Sequence, residues 1–380
     1  MTGAFTVRGW CPGALRPMMS GDGLVVRLRA PGGRLSQRQA SEIACAARDF
    51  GNGLIDLSAR ANLQLRGVRE ADHPALIDRL RPLGLIDASE AGEARRNILV
   101  TPFADGATDD LAARLAAGLD DLPALPGKFG FVLDTGPSPV LTHSPGDIRL
   151  ERTASGQLLL RCDGAARGAV VAEAEAVDRI RALAQWFVAA GGIRDGRGRM
   201  ATLIAQGARP EGPLAPTVCP APTAPEPGPG IVAQGALLGL AFGQMTAETL
   251  AWLAVLGPLR LTPWRMVLIE RLQSLPAAAP GVIRSAADPL RRVAACTGAP
   301  GCPQGHAAVR GLAARLAQAV PEGRILHLSG CAKGCAHPAP AALTLVATDT
   351  GFDLIRAGTA RDRPERRGVA AEDIDLEGLF

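Results

Sequence analysis

The chain has 380 residues, a formal net charge of +4, and 47% hydrophobic and 21% charged residues. This length allows two or three domains with cores of their own, and the composition is typical of soluble globular proteins. The first twenty residues lack an apolar signal-peptide region and no apolar run approaches about 18 residues, so we expect a cytoplasmic protein without a membrane span. The sequence contains no basic run with interleaved aromatic residues, so it gives little support to nucleic-acid binding.

The first half predicts a strand, a capped helix and a second strand, followed later by a hairpin. Residues 23–30, "GLVVRLRA", form the first predicted strand, and residues 33–67 continue with the helix and the next strand. Ser36 is the expected N-cap of the helix, whose apolar stripe is Ala40, Ile43, Ala44 and Ala47. Residues 147–165 alternate and turn at Ser155-Gly156, which predicts a hairpin.

A proline-rich segment separates this half from a similar second half. Residues 209–230 contain eight Pro and are expected to form neither a helix nor a sheet ladder. The same units then recur: a strand at 235–242, a helix and strand at 243–272 and a hairpin at 342–360. Thr246 is the expected second N-cap, with the stripe Leu250, Leu253 and Ala254. The order predicts an internally duplicated α+β protein with a ligand cleft between its halves.

Four cysteines lie close together near the C-terminal end, in "CTGAPGC" and "CAKGC". They are Cys296, Cys302, Cys331 and Cys335. A helical pattern follows Cys302, with Val309, Leu312, Leu316 and Val320 on one side, and a buried strand is expected at 324–328. We therefore expect the first pair at a helix N-terminus, which would stabilise thiolates, and the second pair just past a strand end.

Four thiolates suit either Zn²⁺ or an iron–sulfur cluster. Zinc knuckles usually place two to four residues between paired cysteines, so the five residues between Cys296 and Cys302 favour a [4Fe–4S] cluster. Structural zinc and unliganded thiols remain alternatives. The other cysteines are scattered, and the patterns around Cys45 and Cys162 predict core positions; the remaining two are Cys11 and Cys219.

These loops, "ACTGAPGCPQG" and "GCAKGC", resemble the cluster loops of the siroheme-dependent sulfite and nitrite reductases. Three upstream segments resemble that family too: "DLSARANLQLRG" (56–67), "RRNILVTP" (95–102) and "LPGKF" (125–129). The resemblance implies an internally duplicated nitrite/sulfite reductase-like fold of class α+β. Its expected parts are ferredoxin-like half-units at 1–75 and 231–275, a tetrapyrrole-binding α/β unit at 76–208, the linker at 209–230 and an iron–sulfur-binding α/β unit at 276–380.

The resemblance also implies roles for individual residues. Cys335 would occupy the position that ligates both cluster and haem iron in the reductases. Substrate-binding positions would be Arg60, Asn62, Gln64, Arg66, Arg96 and Lys128, and catalytic positions Lys128, Arg60 and Lys333. From Arg60 to Arg66 these residues alternate, so we expect Arg60, Asn62, Gln64 and Arg66 to share one face of a strand. A solvated strand face is the alternative.

Two departures from the reductases concern the only lysines of the chain. The reductases carry Lys-x-Lys where this chain has Lys128-Phe-Gly130, and Pro-Asn-Gly between the last cysteines where this chain has Ala332-Lys333-Gly334. This chain therefore lacks one of the two lysines that bind sulfite in the reductases. These departures disfavour a siroheme-dependent sulfite or nitrite reductase, which remains an alternative beside a non-catalytic iron–sulfur or zinc scaffold.

Further segments resemble the branch of this family that acts in aerobic cobalamin biosynthesis: "RGWCPGALRPMMSGDGLVVRLR", "LTPWR" (261–265) and "CAKGCAHP". This implies O₂-dependent hydroxylation of precorrin-3A at C-20 with γ-lactone formation. NADH-derived electrons would come through a separate reductase, since no G-x-G-x-x-G opens a helix here. O₂ would react at the cluster or at a second, mononuclear non-haem iron, for which His143, His306 and His337 are candidates; His73 and His327 are expected to be structural.

Overall fold

A computed structural model describes residues 12–380, so Cys11 and the first residues of the "RGWCPG" segment lie outside the described part. The strands of the first half are β1 (Met18–Ser20), β2 (Gly23–Leu28), β3 (Arg34–Leu35), β4 (Leu54–Leu57), β5 (Leu63–Val68), β6 (Ile98–Val100), β7 (Phe131–Leu133), β8 (Ile148–Arg152), β9 (Leu158–Cys162) and β10 (Ala169–Val170). Its helices are α1 (Gln37–Phe50), α2 (His73–Leu80), α3 (Glu90–Arg95), α4 (Gly106–Ala117), α5 (Ala176–Ala189) and α6 (Met200–Ala205).

The second half repeats this order with fewer helices. Its strands are β11 (Gly230–Val232), β12 (Gly235–Leu240), β13 (Gln244–Thr246), β14 (Leu259–Leu261), β15 (Met266–Glu270), β16 (Val282–Ile283), β17 (Val293–Ala295), β18 (Leu326–Ser329), β19 (Ala341–Thr348), β20 (Gly351–Gly358) and β21 (Arg366–Val369). Its helices are α7 (Ala247–Leu256) and α8 (Arg310–Leu316). Both predicted hairpins, β8–β9 and β19–β20, are confirmed.

Two five-stranded sheets have the same topology and confirm the duplication. In the first half, β6, β7 and β8 run parallel and β9 and β10 continue antiparallel. In the second half, β17, β18 and β19 run parallel and β20 and β21 continue antiparallel. Each sheet covers a core of its own. The carboxyl ends of the parallel strands, where such sheets place ligand-binding loops, therefore occur once in each half.

The other two sheets exchange strands between the halves. One has the order β1-β2-β5-β4-β13 and the other β11-β12-β15-β14-β3, with β16 also pairing with β12. Thus β13 of the second half pairs with β4, and β3 of the first half pairs with β14. Helices α1 and α7 pack on each other over a shared core. The two ferredoxin-like half-units are therefore one folding unit, and their expected boundaries stay a prediction.

The helix starts agree with the sequence. Ser36 caps α1 by accepting a hydrogen bond from the Gln39 N–H, and the Gln39 side chain accepts from the Ser36 N–H in return. Thr246 caps α7 by accepting from the Thr249 N–H. The expected apolar stripes of both helices are buried. Local capping signals thus fixed the ends of the two helices that meet between the halves.

Ser36→Ala is expected to lower the free energy of unfolding by about 1 kcal/mol, because the Gln39 N–H at the start of α1 loses its side-chain acceptor. Urea denaturation followed by circular dichroism measures this. Ser41→Ala, within the same helix, is the matched control and should lose nothing, since Ala is the better helix former. Equal stability of the two variants would contradict the capping role.

The proline-rich segment behaves nearly as expected. Residues 209–230 form one short 3₁₀ turn, Gly212–Leu214, and a single bridge between Val218 and Gly168 before β11 begins. The Ala221 and Ala224 N–H groups donate to carbonyls of the first half, so the segment lies along that half. No helix within residues 12–380 is both long and apolar enough to cross a membrane.

Candidate functional site

One cavity of about 620 Å³ brings the predicted cluster residues together. All four cysteines of the two C-terminal motifs line it: Cys296, Cys302, Cys331 and Cys335. So do both lysines of the chain, Lys128 and Lys333, together with Arg66. None of the other cavities described within residues 12–380 is lined by any of these cysteines or lysines.

Strand geometry explains how the two cysteine pairs meet. Cys296 directly follows β17 and Cys331 follows β18, and these two strands are parallel neighbours. Their carboxyl ends therefore lie at the same edge of the sheet. The expectation that Cys331 lies just past a strand is confirmed. The expectation that the first pair lies at a helix N-terminus is wrong, because α8 begins only at Arg310 and a loop of turns fills the interval.

The thiols influence one another electrostatically. Burial raises the pKa of the Cys331 thiol above its usual value, and the neighbouring Cys302 and Cys296 raise it further. The Lys333 N–H and ammonium act in the opposite direction. Four ionised thiols at this site would therefore repel each other unless cationic metal compensated their charge.

The loops around the thiols fit a bound iron–sulfur group. The Gly330 N–H donates to the Cys296 Sγ at 3.0 Å, the kind of hydrogen bond that stabilises a cluster thiolate. A Cβ at Gly330 would lie 3.4 Å from that sulfur, and one at Gly305 only 2.6 Å from the Ala299 nitrogen, so side chains would fill this cradle. Within residues 12–380 no three His, Cys, Asp or Glu side chains are grouped as a single metal ion would require.

Lys128 lies at the rim of the cavity, where two arginines hold its backbone. Arg60 Nη2 donates to the Lys128 carbonyl at 3.0 Å and Arg199 Nη1 donates to it at 3.1 Å. The Lys128 residue is exposed, and none of the described residues forms a hydrogen bond or ion pair with its ammonium. Its cation is therefore available to a ligand in the cavity.

The expectation that Arg60, Asn62, Gln64 and Arg66 share one strand face is wrong. Strand β5 begins at Leu63, so Arg60 and Asn62 lie in the preceding turn. Ala61 has a positive φ of 53° there, which breaks the alternation of side chains. Asn62 is buried, and Gln64 accepts two hydrogen bonds from Arg27, of 3.1 and 2.7 Å.

Arg66 is buried and fully engaged by protein groups. Its guanidinium donates to Asp22 at 2.6 and 3.0 Å, to Asp56 at 3.5 Å and to the Gly301 carbonyl at 2.5 Å. It lines the cavity with its side chain only 6% exposed. Of the six expected substrate positions, Lys128 and Arg66 line the cavity and Arg60 borders it through the Lys128 carbonyl.

Arg96 lies elsewhere in this structure. Its guanidinium pairs with both Asp87 oxygens, at 2.7 and 2.9 Å, and also donates to the Arg29 carbonyl. With Arg29 and Arg34 it lines a separate cavity of about 510 Å³ between the first-half sheet and α4. The structure therefore does not bring Arg96 together with the cysteines, and its substrate role stays a prediction.

The histidines do not converge on a second metal site. His306 Nδ1 lies 2.7 Å from Asp349, at an exposed position. His337 and His143 line two neighbouring cavities that share Glu226, Pro263 and Trp264. His73 Nε2 lies 2.8 Å from the Ala14 carbonyl, which agrees with a structural role.

His327 is the buried histidine beneath the second cysteine loop. Its ring is fully buried and lies 5.8 Å from the ring of His337, measured between centroids. Burial lowers the pKa of His327 to about 4, so the imidazole is neutral at physiological pH. Neither ring nitrogen has a hydrogen-bond partner among the described residues, so the expected structural role of His327 stays a prediction.

Sequence reasoning missed several residues that shape the cavity. Arg199, in "GRGRM", carries no family motif, yet its guanidinium fixes the Lys128 carbonyl. Ser20 donates to the Gly301 carbonyl of the first cysteine loop at 2.7 Å. Arg265 of the "LTPWR" segment donates to the Ala336 carbonyl just past Cys335. All three act through backbone carbonyls distant in sequence, which leaves no local signal.

Comparisons with known proteins agree with this architecture. Residues 16–83 match the nitrite/sulfite reductase ferredoxin-like half domain. The chain is 33% identical over 398 residues to the precorrin-3B synthase of Sinorhizobium sp, covering 94% of this chain and 84% of that protein. It is also 33% identical over 135 residues to the ferredoxin–nitrite reductase of Synechococcus elongatus, covering 26% of that protein.

The fold has a solved counterpart. The structure of the NirA protein of Mycobacterium tuberculosis superposes with a TM-score of 0.63, covering 92% of this chain and 78% of that one at 19% identity. At this identity the likeness concerns the fold alone. It confirms the duplicated nitrite/sulfite reductase-like architecture that the motifs implied.

Proposed function

Because the chain belongs to the family of precorrin-3B synthase and the nitrite and sulfite reductases, we propose that it is an oxidoreductase that hydroxylates precorrin-3A. The reaction would place a hydroxyl group at C-20 and close a γ-lactone, a step of aerobic cobalamin biosynthesis in the cytoplasm. The observation that carries the proposal is the single cavity that joins four cysteines to both lysines of a chain otherwise rich in Arg.

The four cysteines suit a [4Fe–4S] cluster as the resident cofactor. Cys296, Cys302, Cys331 and Cys335 would each supply one thiolate, and when bound such a cluster carries single electrons. The glycine-rich loops leave the required space, and the Gly330 N–H offers a hydrogen bond to the Cys296 sulfur. Cys335 is the exposed member of the set, on the side from which a substrate would approach.

The remaining cavity walls suit a flat ring edged with carboxylates. Met18 and Met19 offer apolar, adaptable contacts for a ring face, and Met19 is 40% exposed. The Lys128 and Lys333 ammonium groups offer charge-assisted hydrogen bonds to carboxylates at the ring edge. Arg60 and Arg199 hold the Lys128 backbone in place, which limits the freedom of that cation. These residues would bind and orient the substrate beside the exposed Cys335.

The proposed reaction needs electrons from outside the chain. Insertion of one oxygen atom from O₂ into the substrate consumes two electrons and two protons and releases the other atom as water. The electrons would come from NADH through a separate reductase. A mononuclear non-haem iron would be an additional site of O₂ reaction; His337 and His143 lie near Glu226 but do not form a ready ligand set.

The siroheme reductase alternative meets a steric obstacle at the position of the second lysine. A Cβ at Gly130 would lie 3.0 Å from Asn97 Nδ2 and 3.1 Å from the Asn97 carbonyl, which is tighter than ordinary contact. The local backbone therefore has little room for a long side chain there. The second cation of the reductase pattern is absent from this sequence, and the packing around Gly130 leaves little room for it.

The test is a single-turnover reaction. Protein purified without O₂ is mixed with precorrin-3A, a chemical reductant and then O₂, and the product is analysed by mass spectrometry with ¹⁸O₂. We expect a gain of one labelled oxygen atom. Intact cluster without any gain would contradict the proposal, and haem-type absorption bands in the purified protein would support the siroheme reductase instead.

A further inference from the structure

A turn of the first half packs directly against the first cysteine loop of the second half. The turn Ser20–Asp22 joins β1 to β2. The loop is residues 297–303, which follow Cys296 and include Cys302. A Cβ at Gly21 would lie 2.1 Å from the Pro300 carbonyl oxygen, and one at Gly301 would lie 2.8 Å from Thr297 Cγ2. At Gly21 the two backbones approach so closely that only glycine fits, whereas the tight contact at Gly301 is with a side chain of its own loop.

Two side chains of the first half donate to one carbonyl of that loop. Ser20 Oγ donates to the Gly301 oxygen at 2.7 Å, and Arg66 Nη2 donates to the same oxygen at 2.5 Å. Gly301 immediately precedes Cys302, so these hydrogen bonds restrict the backbone that carries one thiol. Arg66 is 235 residues and Ser20 281 residues away from Gly301 in the sequence, so both hydrogen bonds join distant parts of the chain.

The Arg66 guanidinium is itself held by two carboxylates. Asp22, in the packed turn, accepts from Nη2 and Nε, and Asp56 on β4 accepts from Nη1 at 3.5 Å. Asp56 in turn receives Gln244 Nε2 at 2.9 Å and Arg310 at 3.5 Å. All three guanidinium nitrogens of Arg66 therefore donate to a carboxylate, and the side chain is only 6% exposed.

We propose that Arg66 is a positioning residue for the first cysteine loop and does not bind the carboxylates of the substrate. It fixes Gly301, and with it the backbone of Cys302, to the first-half sheet, so that the loop that would hold one corner of the cluster is tied to both halves. The inference rests on the proposed function, because it requires the four cysteines to hold a cluster. It changes the role that the family resemblance implies for this residue and identifies Ser20 and Asp22 as its partners.

The test compares two variants with a matched control. Arg66→Gln removes the cation and most of the hydrogen bonds. Ser20→Ala removes the neutral hydrogen bond to Gly301 and the long one, of 3.4 Å, that Ser20 Oγ accepts from Arg66 Nη2. Arg260→Gln is the control: Arg260 is equally buried at 7% side-chain exposure and bridges two carboxylates, Asp109 and Glu270, but does not contact the cysteine loops. Cluster loss to a chelator, the electron paramagnetic resonance spectrum of the reduced protein, its midpoint potential and precorrin-3A binding are measured.

We expect Arg66→Gln to lose its iron about 10-fold faster than the unchanged protein, with an altered resonance spectrum and midpoint potential. Ser20→Ala should lose iron about threefold faster, since the hydrogen bond to Gly301 and the long one from Arg66 are missing while the Arg66 cation remains. Arg260→Gln should keep the spectrum and the rate of iron loss even though it is less stable. The fraction of Arg66→Gln protein that retains its cluster should bind precorrin-3A with nearly unchanged affinity.

Three outcomes would overturn the inference. The first is an Arg66→Gln protein with the spectrum, potential and iron loss of the unchanged protein but much weaker precorrin-3A binding, which would make Arg66 a substrate ligand. The second is equal cluster damage in Arg260→Gln, which would reduce the effect to general instability. The third is an unchanged protein that holds no cluster, and this alone would also contradict the proposed cofactor. If Arg66→Gln does not fold, the Ser20→Ala result decides.

Discussion

Cys331→Ala is expected to abolish the cluster and lower precorrin-3A hydroxylation by more than about 100-fold. Loss of an outer hydrogen-bond partner typically costs 10–100-fold in metal affinity or activity, and loss of a ligand exceeds this. Cys331 lies two residues past the end of β18 and in the same cavity as the other three cysteines. Its replacement leaves three thiols for four irons. Iron and acid-labile sulfide content, visible absorbance and the ¹⁸O₂ assay measure the loss.

The matched control for this variant is Cys219→Ala. Cys219 is exposed in the proline-rich segment and does not line the cavity. The control should retain full iron content and activity. A Cys331→Ala protein with the iron content of the control would show that Cys331 is not a ligand, and the scaffold and zinc alternatives would then have to be tested by metal analysis of the unchanged protein.

Local signals predicted much of the fold, because they act over a few residues. Ser36 and Thr246 begin their helices where the capping patterns placed them. The hairpin turns at Gly156 and Gly351 join the expected strands. Once β17 and β18 are parallel neighbours, the meeting of Cys296 and Cys331 follows from strand direction alone.

Contacts between the halves could not be predicted in the same way. The exchange of β3 and β13 joins strands more than a hundred residues apart, and no local pattern specifies such a pairing. The alternating polar residues of the turn before β5 predict a strand that the structure does not form there. Only the left-handed backbone at Ala61 moves Arg60 away from Gln64.

Arg66 illustrates why a motif can locate a residue and still leave its role open. The family resemblance places a cation near the tetrapyrrole, and the structure does place Arg66 at the wall of the cysteine cavity. Its partners Asp22, Asp56 and Gly301 come from three distant segments. Which anion a buried Arg satisfies depends on these partners, because a buried charge must be compensated by whatever group is nearest.

Lys128→Ala is expected to weaken precorrin-3A binding by about 10- to 100-fold. A hydrogen bond to a charged group contributes about 1.5–3 kcal/mol, and each 1.4 kcal/mol corresponds to a factor of ten in affinity. The Lys128 ammonium is exposed at the cavity rim, so its loss should not destabilise the fold. Equilibrium binding under anaerobic conditions measures the effect, and the unchanged cluster spectrum of the variant would confirm that only binding has changed.

The choice of controls separates charge from position. Arg38→Ala removes an exposed cation on α1, away from the cavity, and should leave the affinity unchanged. Lys128→Arg keeps the charge and should recover most of the binding. Raised salt should lower the affinity of the unchanged protein for precorrin-3A more than that of Lys128→Ala, because the variant has one fewer ionic contact to screen. Equal affinity of Lys128→Ala and Arg38→Ala would contradict a role for Lys128 in substrate binding and shift that role to Lys333, the other lysine of the cavity.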